Sequence, residues 1–138
     1  MVRLDVIYVR SKRCEIVHEL GHVVQTDAPK DIGGDASACS PTDLLSAAAA
    51  ACILTTIGMF LERHDFDSAG SRASVEKVMS VAPRRLGSLV IDVHLPITTP
   101  LNLRPGIEKV GNACPVKASL HTDIAVCVNY AYDIQTTI

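Results

Sequence analysis

The sequence LLSAAAAACILTTIGMFL, residues 44–61, determines the architecture of this chain, because it is a long run without any charged side chain. Its length is close to that needed to cross a bilayer. However, the alanines at 47–51 favour a helix packed against protein, since alanine is the best helix former and gains little from lipid. Asp43 precedes the stretch, with no lysine or arginine beside it. We therefore predict a long buried central helix and no membrane span.

A helix start lies directly before this stretch. Ser40 is a suitable N-cap, Pro41 suits the first helical position, and Asp43 follows the cap by three residues as the acid of a capping box. We expect the helix to run from Pro41 to about Arg63, roughly 30 Å at about 1.5 Å per residue. Because Asp43 is nine residues before Cys52, a regular helix places the two on opposite faces. We therefore assign Asp43 to capping.

Alternating and β-branched segments flank this helix on both sides and predict strands. The order of strands, long helix, strands, short helices and a last strand predicts an α+β fold. We expect one domain over residues 1–138, with antiparallel sheet wrapped around the central helix. The predicted strands are 2–9, 14–17, 22–26, 73–81, 89–95 and 123–134, with a loop at 27–40, a turn at 83–87, and short helices at 106–113 and 115–120.

Composition narrows the classes of function. The chain has 138 residues, a formal charge of −2 and no block of lysine or arginine, so nucleic acid and anionic membrane are not expected partners. Aromatic residues make up only 4%, which disfavours base-stacking surfaces. Five cysteines is an odd number, and the first residues lack the pattern of a secretory signal. We therefore expect a cytoplasmic protein whose cysteines are core residues or reactive thiols.

One short motif suggests zinc chemistry. His18-Glu19-Leu20-Gly21-His22 satisfies H-E-x-x-H, which on a helix presents two imidazoles to zinc and a glutamate as base. The extended motif fails, because Gln25 and Ala28 stand where glycine and a third histidine are needed. The flanking residues are β-branched, and in a continuous strand the two imidazoles would be about 13 Å apart. A hairpin with polar residues at its turn is the favoured interpretation, and zinc hydrolysis remains a minor alternative.

Two cysteines lie in settings that suggest reactivity. Cys114 precedes Pro115, so its sulfur is expected at a helix N-terminus, where free N–H groups favour a thiolate. Cys52 lies in the middle of the apolar helix, where a buried small hydrophobic residue is the ordinary interpretation. The remaining cysteines, at 14, 39 and 127, fall in a predicted strand, loop and strand without an activating feature.

Four segments, in order along nearly the whole chain, carry a resemblance to a known family. They are TDAPKDIGG at 26–34, SPTDLL at 40–45, AAC at 50–52 and a C-P-V-x-x-x-L pattern at 114–120. Together they resemble the OsmC/Ohr family of thiol peroxidases. The resemblance implies an intertwined homodimer with two long helices packed at its centre. It also implies reactive sites at the subunit interface, and such packing would bury the uncharged helix on all sides.

The resemblance also implies a chemistry without metal or organic cofactor. Cys52 would attack an organic hydroperoxide or hydrogen peroxide and become a sulfenic acid, and Cys114 would form a Cys52–Cys114 disulfide. A dithiol, of lipoyl type or thioredoxin-like, would reduce that disulfide. Family members use an arginine from the first hairpin, for which Arg10 is preferred over Arg13.

The sequence departs from the best-known family pattern at one position. Thr42 follows the proline where those members have glutamate, and the acid comes one place later, as in the OsmC-like subgroup with S-P-x-[DE]-L-L. This departure leaves an alternative open, in which the fold is kept as a non-catalytic protein that binds a small apolar ligand.

Overall fold

The computed structural model describes residues 1–135, and the chain divides into two compact units, Met1–Leu45 and Ser46–Ile138. The first unit is a three-stranded antiparallel sheet in the order β1 (Leu4–Arg10), β2 (Arg13–His18) and β3 (Val23–Asp27). The hairpin between β1 and β2 is tight because its two turn residues, Ser11 and Lys12, have φ of 51° and 64°. These strands confirm the predicted N-terminal sheet, within one or two residues at each end.

Asp27, at the end of β3, fixes the loop that leads to the long helix. Its buried carboxylate accepts hydrogen bonds from the Ser37 hydroxyl at 2.6 Å and the Ser37 N–H at 3.0 Å. The Arg13 Nε lies 3.5 Å from the same oxygen. The hydrogen bonds from Ser37 are the main cause that lowers the pKa of Asp27 from 3.8 to about 2, against the opposing effect of burial.

We expect this carboxylate to make the stability of the fold pH-dependent in acid. Its folded-state pKa is below the ordinary value, so the unfolded chain takes up the proton first as pH falls. The contribution is complete above about pH 4 and is lost as pH falls toward about 2. Urea unfolding across this range should therefore give a shallower pH dependence for Asp27→Asn than for the parent. Asp5→Asn, at an exposed acid of β1, should keep the parental slope, and equal slopes for Asp27→Asn and the parent would contradict the assignment.

The long helix α1 (Pro41–Glu62) begins as the sequence predicts. The Ser40 Oγ accepts the Asp43 N–H at 3.1 Å, and the Asp43 carboxylate accepts the Ser40 N–H at 2.9 Å. These two bonds form the reciprocal capping box, so the assignment of Asp43 to capping is confirmed. The helix ends one residue before the predicted Arg63.

Within a single chain only one face of α1 is covered. Burial on all sides was expected from packing in a homodimer and stays a prediction. The buried residues recur every three to four positions, as one stripe of a helix requires. Opposite them, the side chains of Leu45, Ala48, Ala51 and Met59 are exposed. By length and composition alone α1 could cross a membrane, and 33% of its most apolar window is buried within the chain. The buried stripe consists of Ser46, Ala49, Ala50, Ile53, Ile57 and Leu61.

The second unit contains a sheet in the order β4 (Arg72–Val81), β5 (Arg84–Pro96) and β6 (Ala125–Ile134). Strands β4 and β5 are antiparallel, but β5 and β6 are parallel, so the prediction of purely antiparallel sheet is wrong. The physical reason is the long connection between β5 and β6, which carries two helices and returns the chain to the same end of the sheet.

The predicted turn at 83–87 is also too long. Strand β5 already begins at Arg84, and its early residue Leu86 is buried in the core. Gly87 lies beside a register shift at Val78, where a Cβ would come 3.2 Å from the Val78 carbonyl oxygen. The glycine therefore marks a bulge inside a strand and not a turn.

The connection between β5 and β6 consists of a short 3₁₀ turn (Leu101–Leu103), α2 (Arg104–Asn112) and α3 (Pro115–Ser119). Both helices lie where short helices were predicted, although α2 begins two residues earlier. The core of this unit joins the buried stripe of α1 to one face of β5. Its β5 members alternate along the strand, as the sequence predicted: Leu89, Ile91, Val93 and Leu95.

Candidate functional site

Cys52 lies in the middle of α1, next to the buried stripe. The following residue, Ile53, is completely buried, whereas the Cys52 side chain is half-buried and borders the core of the second unit. The Thr56 hydroxyl donates a hydrogen bond to the Cys52 carbonyl at 2.8 Å, one helical turn away. Cys52 is therefore held on a regular helix beside the core, and part of the residue remains open to solvent.

Cys114 is the N-cap residue of α3 and is completely buried. Its backbone is extended, and Pro115 occupies the first helical position, where the missing N–H costs nothing. The Cys114 Sγ accepts the Lys117 N–H at 3.3 Å, in the manner of a serine or aspartate cap. The predicted placement of this sulfur at a helix N-terminus is confirmed.

The fold brings these two thiols together although 62 residues separate them in sequence. Cys52 lies close enough to Cys114 to affect the pKa of its thiol, and it packs against the core cluster that contains Cys114. Burial raises the pKa of the Cys114 thiol, and the neighbouring Cys52 raises it further, whereas the Lys117 N–H lowers it. The net direction is upward. The expectation that the helix N-terminus would make Cys114 a ready thiolate is therefore wrong, because desolvation outweighs the N–H contacts.

Arg10 and Arg13 both line a cavity of about 210 Å³ within the first unit, together with Cys14. Arg13 is engaged in the fold, since its guanidinium lies 2.6 Å from Asp35 and 3.5 Å from Asp27. Among residues 1–135, no side-chain hydrogen bond or ion pair holds the Arg10 guanidinium. The role of Arg10 beside Cys52 stays a prediction.

The H-E-x-x-H segment forms the end of β2 and the turn before β3, as the hairpin interpretation predicted. The turn brings the His18 and His22 rings to 5.7 Å between centroids, so the separation of about 13 Å expected for a continuous strand is wrong. The segment lacks the helix that a zinc hydrolase motif needs. Among the described residues, no three histidine, cysteine or acidic side chains are grouped to hold a metal ion.

The contact between Gly111 and Tyr130, close to Cys114 in the fold, was not predicted from the sequence. Gly111, in the last turn of α2, lies against Tyr130 of β6, whose hydroxyl donates to the Asn112 side-chain oxygen at 3.1 Å. A glycine inside a short helix costs stability relative to alanine, so it commonly marks a close approach. That signal was present in the sequence, but its partner could not be read from it.

The part of the chain that contains both thiols resembles known proteins. A family model described as OsmC-like protein matches residues 34–129, which include both Cys52 and Cys114. The chain therefore belongs to the OsmC-like family. No curated protein matches the sequence.

Solved structures give the same fold. A candidate osmotic stress induced and detoxification response protein from Psychrobacter arcticus is 33% identical, with a TM-score of 0.90 over 95% of this chain and 96% of that one. An organic hydroperoxide resistance protein from Legionella pneumophila is 17% identical, with a TM-score of 0.74 over 95% and 96%. The organic hydroperoxide resistance protein OhrB of Bacillus subtilis is 12% identical, with a TM-score of 0.67 over 95% and 98%. The last two likenesses establish the shared fold only.

We expect the proximity of the two thiols to be measurable without any peroxide. Equimolar diamide, which oxidises two neighbouring thiols to a disulfide, should join Cys52 to Cys114 in the folded protein. Mass spectrometry of a non-reduced digest should find that pair in preference to any involving the exposed Cys39 or Cys127. Cys114→Ser should abolish the pair. A digest in which Cys52 pairs with Cys39 or Cys127 while Cys114 stays reduced would contradict the geometry.

Proposed function

We propose that this protein is a thiol-dependent peroxidase that reduces organic hydroperoxides or hydrogen peroxide. The observation that carries the proposal is that the half-buried Cys52 lies close enough to the completely buried Cys114 to raise the pKa of its thiol. Membership of a family that includes organic hydroperoxide resistance proteins supports it. The two thiols would act in sequence, and each step follows from its surroundings.

In the first step, Cys52 attacks as a thiolate. Its sulfur forms a bond to one peroxide oxygen as the O–O bond breaks, and the other oxygen leaves with the electron pair and takes a proton to become an alcohol or water. The sulfur has then lost two electrons and is a sulfenic acid. Cys52 suits this step because it is the partly exposed member of the pair, whereas peroxide has no direct access to Cys114.

The raised pKa of Cys114 supports this division of roles. A buried thiol that keeps its proton is a poor nucleophile toward peroxide, so Cys114 is left to react after Cys52 has been oxidised. Cys114 is therefore the sulfur that reacts second. Burial also protects it from direct oxidation.

In the second step, the Cys114 sulfur attacks the sulfur of the Cys52 sulfenic acid. A disulfide forms, and the hydroxyl of the sulfenic acid leaves as water with the proton of Cys114. A dithiol then supplies two electrons and two protons, which restores both thiols and converts the dithiol to its own disulfide. A reductant of lipoyl type or thioredoxin-like chemistry meets this requirement, and no metal or organic cofactor enters the balance. We place the cycle in the cytoplasm, where such reductants keep thiols reduced.

We propose that the active form is an intertwined homodimer. The exposed face of α1 carries small and apolar side chains, which allow close approach of a second helix. Every residue of β1 is exposed, although the strand contains Val6, Ile7, Tyr8 and Val9. A second copy of the chain would cover the exposed face of α1 and strand β1. Two-fold symmetry would place each of these surfaces against the same surface of the partner. In that assembly Arg10 is our candidate for the cation beside Cys52.

We expect peroxide chemistry to depend strictly on Cys52. With the parent protein, one equivalent of hydroperoxide should consume two thiols and form the Cys52–Cys114 disulfide. Cys52→Ser should lower the rate of peroxide consumption by roughly a thousandfold or more, since no sulfenic acid can form. Cys114→Ser should still oxidise Cys52 once, and a dimedone adduct should report the trapped sulfenic acid. Stopped-flow peroxide assays with mass spectrometry measure all three.

The alternative is a protein that binds a small apolar ligand without catalysis. Its main support is Thr42, which stands where the best-known family members have glutamate. If this alternative is correct, the thiols of the protein do not react with hydroperoxides. Consumption of peroxide by Cys52→Ser at the parental rate would overturn the peroxidase proposal. Parental thiols that stay reduced under excess hydroperoxide would favour the ligand-binding protein.

We expect the homodimer to depend on the exposed face of α1. Sedimentation velocity should give the parent about twice the 14.8 kDa mass of one chain. Ala51→Glu would bring two carboxylates into a desolvated helix contact and should shift the protein to monomer. Ala69→Glu, in an exposed loop, should remain dimeric. A monomeric parent at micromolar concentration, or binding of the parent to phospholipid vesicles, would contradict the proposal.

A further inference from the structure

We infer that Gly111 is a positioning residue for the disulfide step, because its close contact with Tyr130 seats the Cys114 thiol against Cys52. This inference rests on the proposed function. It assigns a role to a residue outside the two thiols that touches neither substrate nor reacting sulfur. The argument depends on how tightly α2 lies against its neighbours and on how few residues separate that contact from Cys114.

The contact leaves no room for a side chain. A Cβ built on Gly111 would lie 2.5 Å from the Tyr130 Oη and 3.2 Å from its Cε1. It would also lie 3.3 Å from Ile57 Cδ1, on the buried stripe of α1. Gly111 is therefore the point where the last turn of α2 fits between β6 and the same helix that carries Cys52. Any larger residue must push α2 away from one of them.

Hydrogen bonds hold the Tyr130 side chain in its contact with Gly111. Its hydroxyl donates to the Asn112 side-chain oxygen at 3.1 Å and lies 3.4 Å from the Glu108 carbonyl oxygen, so it is tied to the same helix it touches. Burial, followed by the negative charge of Glu108, raises the pKa of Tyr130 to about 12. The phenol is thus a fixed neutral group beside the thiol at any physiological pH.

The path from Gly111 to the sulfur is short. The Cys114 N–H donates to the Gly111 carbonyl at 3.4 Å, and the Ala113 N–H donates to the Val110 carbonyl at 3.2 Å. The chain thus passes from α2 to the N-cap of α3 in one hydrogen-bonded turn. A shift of the last turn of α2 would move Cys114 with it, while Cys52 stays on α1. Disulfide formation is sensitive to such a shift because its geometry is narrow.

The experiment separates the two half-reactions in Gly111→Ala. After a single equivalent of hydroperoxide, the rate of Cys52 sulfenic acid formation should stay within about twofold of the parent. Formation of the Cys52–Cys114 disulfide should slow by roughly tenfold or more, and the dimedone adduct of Cys52 should increase accordingly. Loss of general stability would not produce this split, since the same folded protein carries out both steps.

A rescue variant tests the contact itself. Tyr130→Phe removes the oxygen nearest the added Cβ and leaves contacts at 3.2 and 3.3 Å, which small adjustments can accommodate. Gly111→Ala combined with Tyr130→Phe should therefore form the disulfide within about threefold of Tyr130→Phe alone, a non-additive result in a double-mutant cycle. Additive rates would overturn the inference.

A matched control lies in the same helix. A Cβ on Gly106 would also meet an aromatic ring, at 2.5 Å from Phe60 Cζ, but five residues further from Cys114 along the chain. Gly106→Ala should keep the parental rate of disulfide formation, and slowing equal to that of Gly111→Ala would overturn the inference. If hydroperoxide oxidises neither parent nor variants, the proposed function fails. Diamide then measures the same geometry: slower Cys52–Cys114 cross-linking of Gly111→Ala than of the parent supports positioning, and an equal or faster rate overturns it.

Discussion

The burial of the Cys114 thiol is the constraint on which the rest of this structure depends. A thiolate in an apolar core is costly, and the N–H groups of Lys117 and Val116 do not compensate for its desolvation, so the sulfur keeps its proton. The neighbouring Cys52 raises the pKa of Cys114 further. Two identical functional groups thereby become chemically different through their surroundings alone. For this reason we propose that Cys52 reacts with the peroxide and that Cys114 reacts afterwards with the oxidised Cys52.

The scaffold produces this pairing through one shared core. The buried stripe of α1 packs on the alternating face of β5, and Cys52 borders that stripe. The long connection after β5 must return the chain to run parallel beside it, which requires helices above the sheet. Those helices carry Cys114 over the middle of α1. The parallel strand, which contradicts the simplest expectation for this fold, is therefore part of the reason that the thiols meet.

The uncovered apolar surfaces follow from the same arrangement. A helix whose composition is apolar on every side can present only one face to a three-stranded sheet, so its other face stays exposed in a single chain. The whole of β1 is exposed as well. Surfaces of this kind are rarely left open to water. The proposed homodimer would account for a sequence that contains more apolar helix than one small core can cover.

Much of this protein was accessible from local signals. The capping box at Ser40, the alternation along 89–95, the hairpin around Gly21 and the N-cap position of Cys114 follow from short-range rules of backbone hydrogen bonding and periodicity, and each is confirmed. The protonation of Cys114, the parallel pairing of β6 and the close approach of Gly111 to Tyr130 did not follow. They depend on desolvation and on contacts between residues far apart in sequence, which exist only once the chain has packed.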